Sequence, residues 1–145
     1  MFSDSFIEYL NENLGRIFLN EMKKYVQILE NKGLNQSKNS DFIYFWSNYS
    51  DEIYGNEGYL MDFCMDIEDF ETSETYRLRQ SENLPSQYFS LMGQDNDDYL
   101  FYDMNTDNLY LVDGDNLKDF ILNKVYVKKW DSFLIFIQEF LGYSE

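Results

Sequence analysis

Three short apolar segments separated by turn-forming residues limit what this chain can fold into more than any other part of the sequence. The segments are residues 86–92, 99–102 and 109–112, and the turns between them are 93–98 and 105–107. Tyr, Phe, Leu and Val give the segments strand propensity. The second segment is apolar at consecutive positions, which is typical of a strand covered on both faces. We therefore predict an antiparallel meander over residues 86–112.

A helix is predicted at the C-terminal end. Asp131 or Ser132 can cap its start, and Gly142 can stop it. Apolar residues recur between these points at helical spacing and form one stripe, which consists of Phe133, Phe136, Ile137, Phe140 and Leu141. Such a stripe fits a helix that covers one face of the meander. Residues 124–128, just before this helix, alternate as a short edge strand would.

The N-terminal third also has a helical pattern. Ser5 and Glu8 match a capping box, and apolar residues recur at helical spacing until Gly33. The pattern predicts one long helix, with Gly15 as a position where it can break. The aromatic run 42–46 fits either a short buried helix or a strand, since periodicity cannot distinguish the two over so few residues.

The middle of the chain has weaker patterns. Residues 59–64 are expected to form a strand, and 66–79 an acidic helix with Ile67 and Phe70 facing inward. Helices before and after a sheet define an α+β fold with a central antiparallel sheet. A length of 145 residues with no obvious linker fits a single domain, 1–145.

The negative charge is confined to one stretch. Residues 41–115 contain 18 Asp and Glu against only Arg77 and Arg79, which accounts for the whole formal net charge of −16, because the two flanks carry nine acids and nine bases. A field of this sign attracts basic partners and repels nucleic acid and anionic membranes. With aromatics at 19% of the residues, the chain is too apolar for a disordered acidic tail.

Several kinds of chemistry have little support. The chain has no histidine, which removes the usual general base and the commonest metal ligand. Cys64 lies in an apolar run, so a buried, inert thiol is the expected state. Acids that start at Asp95 or Asp103 do not continue into an EF-hand calcium loop, and no glycine-rich phosphate loop occurs. We expect no enzymatic activity, no metal and no cofactor.

The densest acids lie in two turns, and two interpretations of them stay open. The acids are Asp95, Asp97, Asp98, Asp113 and Asp115. Acids are common in turns because their side chains accept hydrogen bonds from nearby backbone. Alternatively, these five carboxylates form a partner-binding surface for a basic protein.

Four segments in order resemble the SUKH superfamily, which includes the yeast Knr/Smi cell-wall regulators and many bacterial immunity proteins. They read LPSQYFSLMG (84–93), DYLFYD (98–103), NLYLVD (108–113) and WDSFLIFIQEFL (130–141). The resemblance covers residues 59–141. In the turn 94–98 the family often has glycines, which this chain lacks.

The resemblance implies a mixed α+β domain and a non-enzymatic protein. Bacterial members bind and block a cognate toxin, often a nuclease or deaminase, so the expected partner is a basic toxin domain in the cytoplasm. The alternative is an acidic regulatory or scaffold protein of the same fold with no toxin partner. The first residues have no positive leader before an apolar run, and the longest apolar runs, 42–46 and 133–137, are far short of the roughly 20 residues that span a membrane, so we expect a cytoplasmic protein.

Overall fold

A computed structural model describes residues 1–50 and 53–144, and it has an α+β architecture. The helices are α1 (Asp4–Asn13), α2 (Leu19–Asn31), α3 (Ser40–Asn48), α4 (Phe63–Glu68), α5 (Glu74–Glu82), α6 (Leu117–Asn123) and α7 (Phe133–Leu141). The strands are β1 (Gly15–Arg16), β2 (Tyr49–Ser50), β3 (Ile53–Gly55), β4 (Gly58–Leu60), β5 (Tyr88–Ser90), β6 (Tyr99–Asp103), β7 (Asn108–Val112) and β8 (Lys128–Trp130). A 3₁₀ turn (Phe70–Thr72) joins α4 to α5.

The central sheet is a four-stranded antiparallel meander in the order β5-β6-β7-β8. Tyr102 of β6 pairs with Phe89 on one side and with Leu109 on the other. Leu109 in turn pairs with Trp130 of the edge strand β8. The meander predicted over residues 86–112 is confirmed, and β8 extends it by one strand.

Both faces of the sheet are covered, which explains its consecutive apolar residues. On one face, Phe89, Leu100 and Tyr102 belong to the main core together with helices α3 and α7. The stacked rings of Phe42 and Tyr102, with centroids 3.9 Å apart, join α3 to the sheet. On the other face, a smaller core surrounds Phe101 and includes residues of α5 and α6.

The C-terminal helix forms as its sequence predicts. Ser132 is the N-cap, since its side chain accepts from the backbone nitrogen of Ile135, and Gly142 ends the helix in the left-handed conformation. Four residues of the stripe, Phe133, Phe136, Ile137 and Phe140, are buried, and Leu141 is half-buried. The aromatic run 42–46 is helical and lies within α3, where it supplies the rings that meet this stripe.

The predicted N-terminal helix is divided near Gly15. Its first part begins two residues earlier than the capping box implies, because the Ser3 side chain accepts from Phe6 N at 3.2 Å. Ser5 therefore lies inside α1. Residues 15–16 leave the helix to pair with β2, and α2 follows.

Two predictions for shorter elements were wrong in their bounds. The strand expected over 59–64 ends at Leu60, because Asp62 caps α4. The helix expected over 66–79 is split, because the Ser73 side chain accepts from Tyr76 N and starts α5 there. Ile67 is buried as expected, while Phe70 is half-buried.

The edge strand expected over 124–128 was also misplaced. Lys124 is in the left-handed conformation that ends the unpredicted helix α6. The ladder with β7 then occupies Lys128–Trp130. Within the described residues, no helix is long and apolar enough to cross a membrane.

Candidate functional site

The two acidic turns lie side by side at one end of the central sheet. The first turn joins β5 to β6 and the second follows β7. Tyr99, the first residue of β6, pairs with Val112, the last residue of β7. Antiparallel pairing therefore places the segment before Tyr99 next to the segment after Val112. We call residues 95–98 and 113–115 together the acidic edge.

A hydrogen bond and a close backbone approach join the two halves of the acidic edge. The backbone nitrogen of Gly114 donates to Oδ1 of Asp98 at 3.1 Å. A Cβ atom on Gly114 would lie 2.1 Å from the carbonyl oxygen of Asp97, a distance that no real side chain tolerates. Glycine is thus required at residue 114 for this approach of the two turns.

The five predicted site residues lie in these two adjoining turns, but they differ in environment. Asp95, Asp97 and Asp115 are exposed, while Asp98 and Asp113 are partly buried. Asp98 accepts from Gly114 as described, and Asp113 accepts from the backbone nitrogen of Asp115 at 2.9 Å. Asp98 and Asp113 thus make the side-chain to backbone bonds expected of turn residues. The exposed carboxylates of Asp95, Asp97 and Asp115 form the part of the edge open to a partner.

A tyrosine pair on the β3–β4 hairpin adjoins the acidic edge. The Tyr59 hydroxyl donates to Oδ2 of Asp95 at 2.8 Å, and Nδ2 of Asn96 donates to the Tyr59 carbonyl at 3.2 Å. The ring of Tyr54, whose side chain is 73% exposed, lies 5.4 Å from the ring of Tyr59. The hairpin therefore adds aromatic surface next to Asp95.

Sequence reasoning missed this aromatic contribution. Gly55 and Gly58 mark the hairpin turn in the sequence, but nothing local shows what the hairpin packs against. The contact depends on close approach, because a Cβ on Gly58 would lie 2.6 Å from Oδ1 of Asn96. Only the tertiary fold brings residues 36 or 37 positions apart into hydrogen-bonding distance.

Both arginines of the acidic stretch are bound to neighbouring groups. Arg79 packs against the rings of Phe70 and Phe89 and donates to the carbonyls of Ser86 and Tyr88. Burial lowers its pKa, and these contacts hold the partly buried guanidinium against the protein.

Arg77 is the second of these arginines, and it pairs with Glu74. Arg77 donates two hydrogen bonds to the Glu74 carboxylate, and this pairing raises the pKa of Arg77. Glu74 also accepts from Gln94 at 3.4 Å, which places this internally neutral pair at the border of the acidic edge. Among the described residues, the bonds of Arg77 and Arg79 go to Glu74 and to backbone carbonyls, and none goes to a carboxylate of the acidic edge.

Other acids near the sheet have structural roles. Asp103 is fully buried and accepts from Gln87 Nε2 and from the backbone nitrogen of Asn105. Asp107 accepts from the Tyr102 hydroxyl at 2.5 Å and from the backbone nitrogen of Phe133 at 3.2 Å. Burial raises the pKa of Asp107. These bonds attach the β6–β7 turn to the start of α7.

Metal binding and thiol chemistry find no site in the part of the chain that the structure describes. No group of three or more His, Cys, Asp or Glu there could hold a metal ion. Cys64 is buried, its thiol donates to the Trp46 carbonyl at 3.2 Å, and burial raises its pKa. A thiol in this state is a poor nucleophile.

Comparisons with known proteins identified no related protein. No family model, no curated protein and no solved structure matches the chain. The acidic edge is therefore defined by its own geometry: five carboxylates from two turns, a glycine that lets the turns touch, and a tyrosine pair beside them.

Proposed function

We propose that this chain is a non-enzymatic immunity protein that binds and neutralises a basic toxin domain through its acidic edge. The observation that supports it is the contact between the two acidic turns, which puts acids from separate parts of the sequence on neighbouring turns. The resemblance of residues 59–141 to SUKH proteins names the class of partner. The proposed place of action is the cytoplasm, where the toxin domain would otherwise reach its target.

Charge and aromatic surface have different roles in this proposal. Exposed carboxylates such as Asp97 and Asp115 raise the association rate of a basic partner, by roughly 10- to 1,000-fold at low ionic strength. Aromatic residues at the centre of an interface contribute most to its lifetime. Tyr54 is the most exposed tyrosine beside the acidic edge, so we expect its contact with the partner to slow dissociation of the complex.

A nuclease-type toxin fits the sign of the edge. A domain that binds nucleic acid carries a basic surface, and an acidic protein can occupy that surface in place of the phosphates. The chain's own composition fits a binder, since a protein without histidine lacks the usual catalytic base. The proposed inhibition requires only that this chain occupies the basic surface of the toxin, and it requires no catalysed reaction.

Co-expression tests the proposal. The toxin domain is taken from a large secreted protein encoded immediately upstream of this chain's gene, and it is expressed in cells with and without this chain. We expect the chain to restore growth and to co-purify with the toxin domain. A variant with Asp95, Asp97 and Asp98 changed to Asn should protect less when the chain is expressed at limiting level.

Two results would reject the proposal. One is a toxin domain that kills cells equally well with and without a folded, abundant copy of this chain. The other is the lack of any such upstream gene, together with stable binding to a basic protein that is not toxic. The second result would favour the regulatory or scaffold alternative.

A further inference from the structure

A tyrosine pair and one carboxylate form a small exposed site at the border of the acidic edge. Tyr54 of β3 and Tyr59 of β4 are paired across the hairpin, and their rings lie 5.4 Å apart with 37° between the ring planes. The Tyr59 hydroxyl donates to Oδ2 of Asp95 at 2.8 Å, so this carboxylate lies at the hydroxyl end of the Tyr59 ring. Tyr54 and Asp95 are exposed, while Tyr59 is half-buried. We call these three residues the tyrosine site.

The hairpin that carries the two tyrosines is held by close packing on both sides. A Cβ on Gly55 would lie 2.3 Å from the Phe140 carbonyl oxygen in α7, and a Cβ on Gly58 would lie 2.6 Å from Oδ1 of Asn96. The backbone nitrogen of Asn56 donates to the same Phe140 carbonyl at 3.2 Å. The backbone under the tyrosine rings is therefore fixed before a partner binds. A preorganised surface loses less conformational entropy on binding.

Asn96 attaches the hairpin to the turn that carries Asp95. Its Nδ2 donates to the Tyr59 carbonyl at 3.2 Å, and its Oδ1 accepts from the Tyr59 backbone nitrogen at 3.4 Å. One side chain thus binds both backbone polar groups of Tyr59. Asp95 precedes Asn96 in the chain, so the same attachment places its carboxylate beside the Tyr59 hydroxyl. The ring and the carboxylate are 36 residues apart in sequence and are still held in a fixed relation.

Asp95 has no basic side chain to neutralise it. Among the described residues, none of the ion pairs includes Asp95. Lys128 interacts electrostatically with Glu57 of the hairpin turn, but its ammonium group is bonded to Glu139. These two acids exceed the one lysine, so the hairpin side of the site is negative as well. The tyrosine site therefore favours a cation.

The chemistry of the tyrosine site favours a planar cation. A cation over the face of a tyrosine ring is attracted by the electron-rich face, and arginine makes this contact more often than lysine. A guanidinium group is flat, so it can lie on the Tyr54 ring while N–H groups in its own plane donate to the Asp95 carboxylate. A lysine ammonium is a compact, strongly hydrated charge, and contact with a ring removes part of its hydration. Arginine thus matches the site better than lysine does.

We propose that the tyrosine site binds one arginine side chain of the partner protein. The guanidinium group lies against the Tyr54 ring and donates to Asp95, and the Tyr59 hydroxyl holds the carboxylate in position. This inference rests on the proposed capture of a basic protein by the acidic edge. It adds the type of residue that the partner presents next to its other positive charges.

Three short peptides that differ at one central residue test the site. The central residue is arginine, lysine or citrulline, and the flanks are glycine and serine with one lysine at each end. Citrulline has the shape of arginine without its charge. Each peptide is titrated into the isotope-labelled full chain, and backbone NMR signals are followed at about 0.02 M salt, where screening is weak. We expect the arginine peptide to bind about two- to fivefold more tightly than the lysine peptide, and the citrulline peptide to bind most weakly.

Matched variants locate the binding. Tyr54→Leu removes the exposed ring, and it should bind the arginine and lysine peptides equally. Tyr126→Leu makes the same change at an exposed tyrosine outside the site and should keep the arginine preference. Asp95→Asn keeps an oxygen that can accept from Tyr59 but loses the charge, so it should weaken binding of both cationic peptides. Asp131→Asn, at a side chain that is 81% exposed, is its control, and thermal melting checks that all four variants are folded.

The outcomes separate the tyrosine site from the proposed function. Equal affinity of the parent for the arginine and lysine peptides would overturn the arginine site, as would an arginine preference that survives Tyr54→Leu. Absence of measurable binding of the arginine peptide, or equally tight binding of the citrulline peptide, would also overturn it. These results hold whether or not the chain protects cells in co-expression. A chain that prefers arginine through Tyr54 but protects no cells would keep the site and reject a toxin as its partner.

Discussion

Oδ1 of Asp98 accepts a hydrogen bond of 3.1 Å from the backbone nitrogen of Gly114, 16 residues further along the chain. This bond joins the turn before β6 to the turn after β7 at the end of the sheet where the two strands pair. It satisfies a backbone donor and at the same time places the two acidic turns next to each other. This bond fixes the position of the two acidic turns relative to each other, so their arrangement is part of the fold.

Gly114→Ala should separate the two turns. The new Cβ would be 2.1 Å from the Asp97 carbonyl oxygen, so one turn must move. We expect a loss of about 1–3 kcal/mol in the free energy of unfolding, as for other overpacked sites. Gly93→Ala is the matched control, because its Cβ would meet only the Met61 sulfur at an ordinary 3.9 Å. Equal urea midpoints for the two variants would contradict the close approach.

Changing Asp95, Asp97 and Asp98 together to Asn should slow association with a basic partner. Asn keeps the oxygen that accepts from Gly114, so the melting temperature should change little. Stopped-flow measurements should show slower association at low salt and a weaker dependence on ionic strength.

The control for this variant removes the same charge elsewhere. It changes Glu8, Glu12 and Glu71, three exposed residues outside the edge, to Gln. If the two triple variants associate at the same rate at every ionic strength, the acidic edge is not the capture surface. The five acids would then be ordinary turn residues.

Phe136→Asp should unfold the protein. Phe136 is fully buried, and its ring lies 5.0 Å from the ring of Trp130 and 5.3 Å from the ring of Phe140. An unpaired charge at this position costs several kcal/mol, against a total stability of about 5–15 kcal/mol for a domain. Ile135→Asp, one residue away and half-exposed, should remain folded. Circular dichroism would refute this prediction if Phe136→Asp melted cooperatively with an unchanged midpoint.

Alkaline pH should destabilise the protein through Tyr102. Burial raises the pKa of this tyrosine, and its hydrogen bond to Asp107 acts in the same direction. The folded state therefore holds the phenol proton more tightly than the unfolded state does. The stability that this provides is complete below the unfolded pKa of about 10 and is lost as the pH rises above it.

Tyr102→Phe isolates that contribution. The variant loses the bonds to Asn39 and Asp107, so at neutral pH it should be less stable by about 1–3 kcal/mol. Its stability should then fall less steeply than that of the parent as the pH rises beyond about 10. Urea unfolding at a series of pH values measures both effects. Tyr126→Phe, at an exposed position, is the control, and a slope equal to the parent's for Tyr102→Phe would count against this role.

Local sequence signals determined the C-terminal helix and the meander. Ser132, the apolar stripe and Gly142 act within one helix, so their effect can be read without knowing the rest of the fold. Consecutive apolar residues in β6 likewise predicted that both faces of the sheet are covered at this strand. The α+β class followed from these elements, while the helix α6 that covers one face was not predicted.

Elements whose ends depend on single hydrogen bonds were placed less well. Ser73 starts α5 by accepting from Tyr76, and Lys124 ends α6 in the left-handed conformation. In each case, the same sequence pattern could also continue past this residue, so the pattern alone does not show where the element begins or ends. Periodicity records which residues prefer burial, and it carries little information about which side chain caps which backbone group.

The charge of the acidic stretch was fully determined by the sequence, but its distribution in space was decided by the tertiary structure. The sequence shows acids in two turns and arginines nearby. Strand pairing between Tyr99 and Val112 brings those turns together, while Arg79 packs against Phe70 and Phe89 and donates to backbone carbonyls. Proximity between distant residues depends on how the strands pair and how the side chains pack. Both depend on residues far apart in the sequence, so no local segment predicts them.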